Sequence, residues 1–161
     1  MEGIWCDGGC VGRNPSKWAG TWAFVHVFDG KVIGKESGIV LPKEVKLPKI
    51  TNNLTELYAA MKALAYLGTA DWTGRIYTDS QVTLHRITTG TKFAGIPDWM
   101  VDNILNMRRH RKWSAKLVGG HPTKRELIAG FNRRGKPVSK WNVACDVECQ
   151  RLARKFLEEL E

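Results

Sequence analysis

Ile76-Tyr77-Thr78-Asp79-Ser80-Gln81 is a short apolar run that stops on a carboxylate. Ile76 and Tyr77 suit a buried strand, and polar residues follow at once. An aspartate at the carboxyl end of a strand lies where α/β sheets place their ligands. Taken alone, Asp79 is better read as a helix cap ahead of Ser80-Gln81-Val82. The amino-terminal stretch changes that balance. Ile4-Trp5-Cys6-Asp7 also reads as a strand ending on an aspartate, before Gly8-Gly9. Two strands that end on Asp, with a helix between them, ask for a metal ion.

The helix between them opens at Thr51-Asn52-Asn53, where Thr or Asn can cap it. Glu56 sits early, at the positive end of the helix. Leu57, Ala60, Met61, Leu64 and Leu67 keep helical spacing, and Gly68 is a natural stop. A strand, a helix and a strand in this order imply a right-handed crossover between parallel strands. If those strands are neighbours, Asp7 and Asp79 leave the sheet on the same edge, and Glu56 reaches it.

Before this crossover, residues 17–28 are apolar on both faces, as in a covered central strand. Asp29-Gly30 signals a tight turn, and residues 31–41 read as the return strand. The first three strands are therefore expected to form an antiparallel meander, and residues 42–48 a polar connector. After the crossover, residues 80–88 read as a short helix and 89–95 as a loop. Pro97 opens a further helix that runs into Arg108-Arg109-His110-Arg111-Lys112. Residues 114–118 read as a last short strand, and residues 123–140, polar and basic, as a loop. Residues 141–161 form a closing helix whose stripe holds Cys149, Leu152, Ala153, Phe156, Leu157 and Leu160. Asp146 extends that stripe, which is costly unless it is paired or bound to a metal.

The chain has 161 residues, 43% of them hydrophobic and 25% charged, which is the composition of a single globular domain. No apolar run is long enough to cross a membrane as a helix. The amino terminus has no basic start and no apolar signal core, so a cytoplasmic protein with free thiols is expected. The net charge is +9. The cations cluster, at 108–112, at Lys124-Arg125 and at Arg133-Arg134-Gly135-Lys136, which favours a polyanion, nucleic acid first.

Asp7, Glu56, Asp79 and Asp146 thus converge in topology. Packed together they repel, and each resists ionisation. Two divalent cations resolve this. Oxygen ligands without His or Cys suit magnesium or manganese, and a pair of such ions is the usual clamp for in-line attack on a phosphodiester.

With these residues in view, the chain resembles a type 1 ribonuclease H along nearly its whole length. The matching motifs are Cys6-Asp7-Gly8-Gly9-Cys10, Gly12 with Asn14-Pro15, and Thr51-Asn52-Asn53-Leu54-Thr55-Glu56-Leu57. Thr78-Asp79-Ser80-Gln81, Gly120-His121, Asn142 with Cys145-Asp146, and Leu152-Ala153 complete them. The resemblance implies an α/β ribonuclease H-like fold, with a five-stranded mixed sheet, meander plus parallel strands, flanked by helices. One catalytic domain is expected over 1–161, with a basic insertion at about 122–141.

The activity implied is hydrolysis of the RNA strand of RNA–DNA hybrids, leaving a 5′-phosphate and a 3′-hydroxyl. By the same resemblance Asp7 bridges both metals and Asp146 completes the water-activating site. Glu56 and Asp79 hold the other ion. His121 matches the family's mobile histidine, and an ordinary pKa of about 6.5 suits proton transfer or product release. Asn14, Asn52, Asn53 and Gln81 match the family's minor-groove readers, whose amides both donate to and accept from a 2′-hydroxyl. Thr51 matches a residue near a DNA phosphate. Gly8, Cys10 and Asn142 complete the expected substrate contacts, and Arg133, Arg134 and Lys136 are candidate phosphate contacts. A monomer is expected.

Three departures stand out. The run between Asp79 and His121 is shorter than in bacterial members with a basic handle helix, and 108–112 is the candidate substitute. Gly90 stands where many members have a tryptophan that floors the DNA groove, leaving Trp99 or Phe93 to serve. The segment between His121 and Asp146 is longer and more basic. Cys6, Cys10, Cys145 and Cys149 offer a zinc site as a competing reading, against which buried thiols are commoner. Three other readings compete: a retroelement-type domain beside a polymerase, a junction-resolvase-type nuclease, and a non-catalytic basic binding module. The start at Met1 speaks against the first, the paired Asn and Asp-Ser-Gln against the second, and the complete acid set against the third.

Overall fold

The computed structural model describes residues 2–68, 72–90, 92, 95–108 and 113–160, with Arg108 described by its backbone alone. Strand β1 (Glu2–Cys10) lies in the middle of a five-stranded sheet. On one side it pairs antiparallel with β2 (Gly20–Phe28), which pairs antiparallel with β3 (Lys31–Val40). On the other it pairs parallel with β4 (Arg75–Thr78), which pairs parallel with β5 (Ser114–Leu117). The meander and the crossover read from the sequence are both present. One detail differs: β1 does not end at Asp7. It runs on to Cys10 because β2 continues beside it, with Asp7 opposite Ala23 and Cys10 opposite Gly20.

The connector at 42–48 contains a short helix, α1 (Pro42–Val45), where a polar loop was expected. Proline suits its first position, and Glu44 accepts a hydrogen bond from the Leu41 N–H. Helix α2 (Asn52–Leu67) makes the crossover. Thr51 caps it, accepting from the Leu54 N–H at 3.2 Å, so neither Asn is the cap. Leu54, Leu57 and Leu64 are fully buried against the sheet, and each such side chain is worth about 1.5–3 kcal/mol.

Helices α3 (Gln81–Thr89) and α4 (Asp98–Arg108) complete that layer. Ser80, not Asp79, caps α3, accepting from the Thr83 N–H. Gly90 ends α3 at φ 70°, and a Cβ there would collide with Leu105. A tryptophan here would have to displace Leu105 and take a left-handed backbone. Trp99 is 42% exposed and lies beside Ile96 and Pro97 rather than in the acidic cleft. Phe93 and residues 109–112 of the basic cluster lie outside the described residues.

The insertion is not a loop. Helix α5 (Lys124–Ala129) fills its first half, under a capping box between Thr123 and Glu126 and with Gly130 at φ 86° beyond its end. The remainder is a turn closed by a bridge between Phe131 and Pro137. Helix α6 (Lys140–Glu159) then covers the other face of the sheet, where Cys145 and Cys149 pack with Trp5, Ala23, Val25 and Val27. No described helix is long and apolar enough to cross a membrane.

Candidate active site

The parallel pairing of Trp5 with Tyr77 sets the site. Two residues further along the chain from each lie Asp7, still in β1, and Asp79, just past the end of β4. β4 stops at Thr78, so the sheet opens beside Asp7 at the point where the two carboxylates project. Glu56 arrives from the first turns of α2. Ligand oxygens of Asp7, Glu56 and Asp79 all lie within 4.8 Å of one another. α2 comes this close because residue 8 is glycine: a Cβ there would sit 2.6 Å from the Glu56 backbone nitrogen.

A cleft of about 300 Å³ opens over this triad. Gly8, Cys10, Asn14, Asn52, His121 and Asp146 line it, together with Arg13, which the sequence reading did not single out. Asp146 stands on the rim, outside the closest three, with Oδ2 3.6 Å from His121 Nδ1 and 3.1 Å from the Gln150 amide. Asn14 ties the rim to α2, its Oδ1 accepting from the Asn52 N–H at 3.1 Å. Asn53 and Gln81 are exposed at the starts of α2 and α3, outside the cleft lining, and Thr51 serves as the α2 cap. Asn142 is 1% exposed and donates to Asp79 Oδ2 at 3.4 Å, so it holds a carboxylate from beneath. Ser80, read in the sequence as part of the Thr78–Gln81 motif but not as a site residue, donates to the Glu56 carboxylate. Its adjacency to Asp79 was the available signal.

The electrostatics are those of crowded, buried carboxylates. Burial first, then the charges of Asp79 and Glu56, hold Asp7 well above the usual carboxylate range. Burial also lifts Asp79, against the opposing hydrogen bond from Asn142. Glu56 is pushed up to about 7, by burial and by Asp79, although Ser80 works the other way. A donor set made wholly of carboxylate oxygens fits hard divalent cations.

Among the described residues, the four thiols do not come together as a set of metal ligands. All four cysteines are free, and each thiol donates to a carbonyl: Cys6 to Tyr77, Cys10 to Ile50, Cys145 to Trp5 and Cys149 to Asp7.

A pH dependence follows. A carboxyl with a higher pKa folded than unfolded holds more protons in the folded state between the two values, so stability falls as pH rises through that interval. For Glu56 the interval runs from 4.5 to about 7. Without metal, the protein is expected to melt at a lower temperature at about pH 7.5 than at about pH 5, and magnesium should restore stability at the higher pH. Thermal melts of wild type and Glu56→Gln check this. The variant should show the flatter profile, and equal slopes would remove Glu56 from the repelling cluster.

The family model for RNase H matches residues 2–151. The chain belongs to the RNase H family and is a ribonuclease H enzyme. Solved structures agree in fold. The N-terminal RNase H domain of a Mycobacterium tuberculosis protein superposes with a TM-score of 0.69 at 14% identity, covering 99% of this chain and 98% of that one. LC11-RNase H1, isolated from compost by a metagenomic approach, gives 0.69 at 17% identity, with 98% of each chain covered. Its structure in complex with an RNA/DNA hybrid gives 0.60 at 19% identity, over 78% of this chain and 90% of that one. No curated protein sequence matches the chain.

Proposed function

We propose that this chain is a type 1 ribonuclease H that hydrolyses the RNA strand of RNA–DNA hybrids, leaving a 5′-phosphate and a 3′-hydroxyl. The observation that carries the reading is the meeting of Asp7, Glu56 and Asp79 within 4.8 Å. Asp146 and His121 stand over them on the rim of one cleft. That a structural neighbour was solved with an RNA/DNA hybrid supports the substrate class.

Asp7, Glu56, Asp79 and Asp146 would hold two magnesium ions, or manganese in their place. When bound, such ions neutralise the attacking and leaving oxygens of a phosphodiester. The chain's own groups do the rest. Asn142 and Ser80 fix the orientation of the Asp79 and Glu56 carboxylates. Asn14 and Asn52 present amides at the rim, where a 2′-hydroxyl distinguishes RNA from DNA. Asn53, Gln81 and Thr51 extend that surface along the helix starts. His121, exposed and beside Asp146, can carry a proton in and out of the cleft. The same reading has the protein act as a monomer in the cytoplasm.

The test is incubation with labelled RNA–DNA hybrid, duplex DNA, duplex RNA and a four-way junction, with and without magnesium. Cleavage of the RNA strand of the hybrid alone, and only with metal, is expected. Cleavage of the junction would instead identify a resolvase-type nuclease.

Arg133, Arg134 and Lys136 line a second cleft, of about 690 Å³, which also reaches Asp79 and His121. Replacing all three by alanine is expected to raise KM, leave kcat nearly intact and flatten the salt dependence. Each lost phosphate contact should reduce the slope of log affinity against log salt by about 0.9 or somewhat less. Wild-type affinity and slope in the triple variant would make the insertion scaffold.

A further inference from the structure

The insertion has features that gripping a duplex backbone leaves unused. α5 is capped at both ends yet buries none of its residues. The insertion also exposes large apolar side chains: Ile128 in α5 is 89% exposed, and Phe131, just beyond the helix, 58%. The turn that follows is fixed. Asn132 Oδ1 accepts from the N–H groups of Arg134 and Lys136 at 3.0 and 2.9 Å, and Glu126 accepts from the Arg133 N–H at 3.1 Å. The Gly119 N–H donates to Pro137 O at 2.8 Å, which ties the turn to the chain just beyond β5. Phe131, Arg133, Arg134 and Lys136 are therefore carried on one well-held turn, and no ion pair engages the three cations among the described residues.

We propose that this arm binds single-stranded RNA continuing from the hybrid, with Phe131 stacked on an unpaired base and the cations on adjacent phosphates. The proposal rests on the hybrid-cleavage reading above. Three observations select the occupant. The cleft that Arg133, Arg134 and Lys136 line shares Asp79 and His121 with the acidic site, so a strand lying in it leads into the cutting centre. The segment 123–140 carries Lys124, Arg125, Arg133, Arg134, Lys136 and Lys140 against Glu126 as its sole acid, which suits a polyanion. An exposed aromatic among cations is a stacking platform, and a duplex keeps its base faces inside the stack, where Phe131 cannot reach them. An unpaired base offers that face.

The experiment compares a blunt hybrid with the same hybrid carrying a short single-stranded tail, RNA or DNA, at either end. Affinity is read by fluorescence anisotropy in an Asp7→Asn background, where cleavage is silent. Stacking of one base is typically worth about 1–3 kcal/mol, so an RNA tail should tighten binding by roughly 5- to 150-fold. Phe131→Ala should lose that increment, and Phe131→Trp should keep it. Phe131→Ala alone, with Asp7 intact, should cleave blunt hybrid at the wild-type rate. Equal affinity for tailed and blunt hybrids overturns the proposal. So does an increment that survives Phe131→Ala, or one given by DNA tails and not by RNA. The binding readout is independent of turnover: failure to cleave any hybrid refutes the activity, and loss of the tail increment refutes the arm.

Discussion

Asp7→Asn is expected to abolish measurable turnover while the protein stays folded. Asp7 is the most deeply buried of the clustered acids, at 5% exposure, and it feels the charges of Asp79, Glu56 and Asp146 together. It is the carboxylate through which the others are coupled. Losing a group that organises charge at the reacting centre typically costs about 10²–10³ in rate. Asparagine keeps the shape and removes a repelled charge, so the metal-free variant should melt no lower than wild type near neutral pH. Steady-state cleavage and thermal melting, measured on one preparation, check both halves. More than about a tenth of the wild-type rate would remove Asp7 from the centre of the site. EDTA should silence the wild-type enzyme, with magnesium or manganese restoring it; activity that survives chelation would overturn the metal-dependent reading.

Gly8→Ala is the second large effect expected, and it acts through backbone. The added methyl would meet the carbonyl carbon of Thr55 and lie 2.6 Å from both Thr55 O and Glu56 N. Main chain at the start of a buried helix cannot swing aside as a side chain can. α2 must shift, and Glu56 shifts with it. A displacement on the order of 1 Å at a catalytic group can cost about 10²-fold in rate. A fall in kcat of that size, with a lower melting temperature, is expected. Gly9→Ala is the control. Its methyl would meet the Thr21 hydroxyl at 3.1 Å and Cys149 Cβ at 3.9 Å, so a much smaller loss should follow. Equal effects at both positions would show that the close approach of α2 does not set the site.

Asp79 and Glu56 were legible because they sit near element ends. Asp79 closes an apolar run, Glu56 stands one turn inside a capped helix, and the crossover rule brings them together. The cap assignments were harder, since Thr51 beside Asn52 and Asp79 beside Ser80 offer competing oxygens. Geometry gave both caps to the hydroxyl residue. Asn142 reads in the sequence as a substrate contact; its burial beneath Asp79 was not legible, because it depends on the path of α6. The α5 helix was missed although its signal was present. Thr123-Lys124-Arg125-Glu126 is a capping-box pattern, and Gly130 follows at the right distance for a stop. Its charge and lack of an apolar stripe made it read as a loop, and the structure confirms that no buried face stabilises it.

The thiols beneath the sheet have a consequence for reactivity. Burial pushes Cys149 up to about 12 and lifts Cys145 well above its ordinary range. At neutral pH both groups are therefore held as unreactive thiols, and both sulfurs are covered by α6 and the sheet. Alkylating reagents and mild oxidants should therefore find these sulfurs only when α6 lifts away from β1. The rate at which a thiol reagent labels Cys145 and Cys149 is then a clock for that opening. Because α6 also carries Asp146, the same clock times how often the site loses its rim.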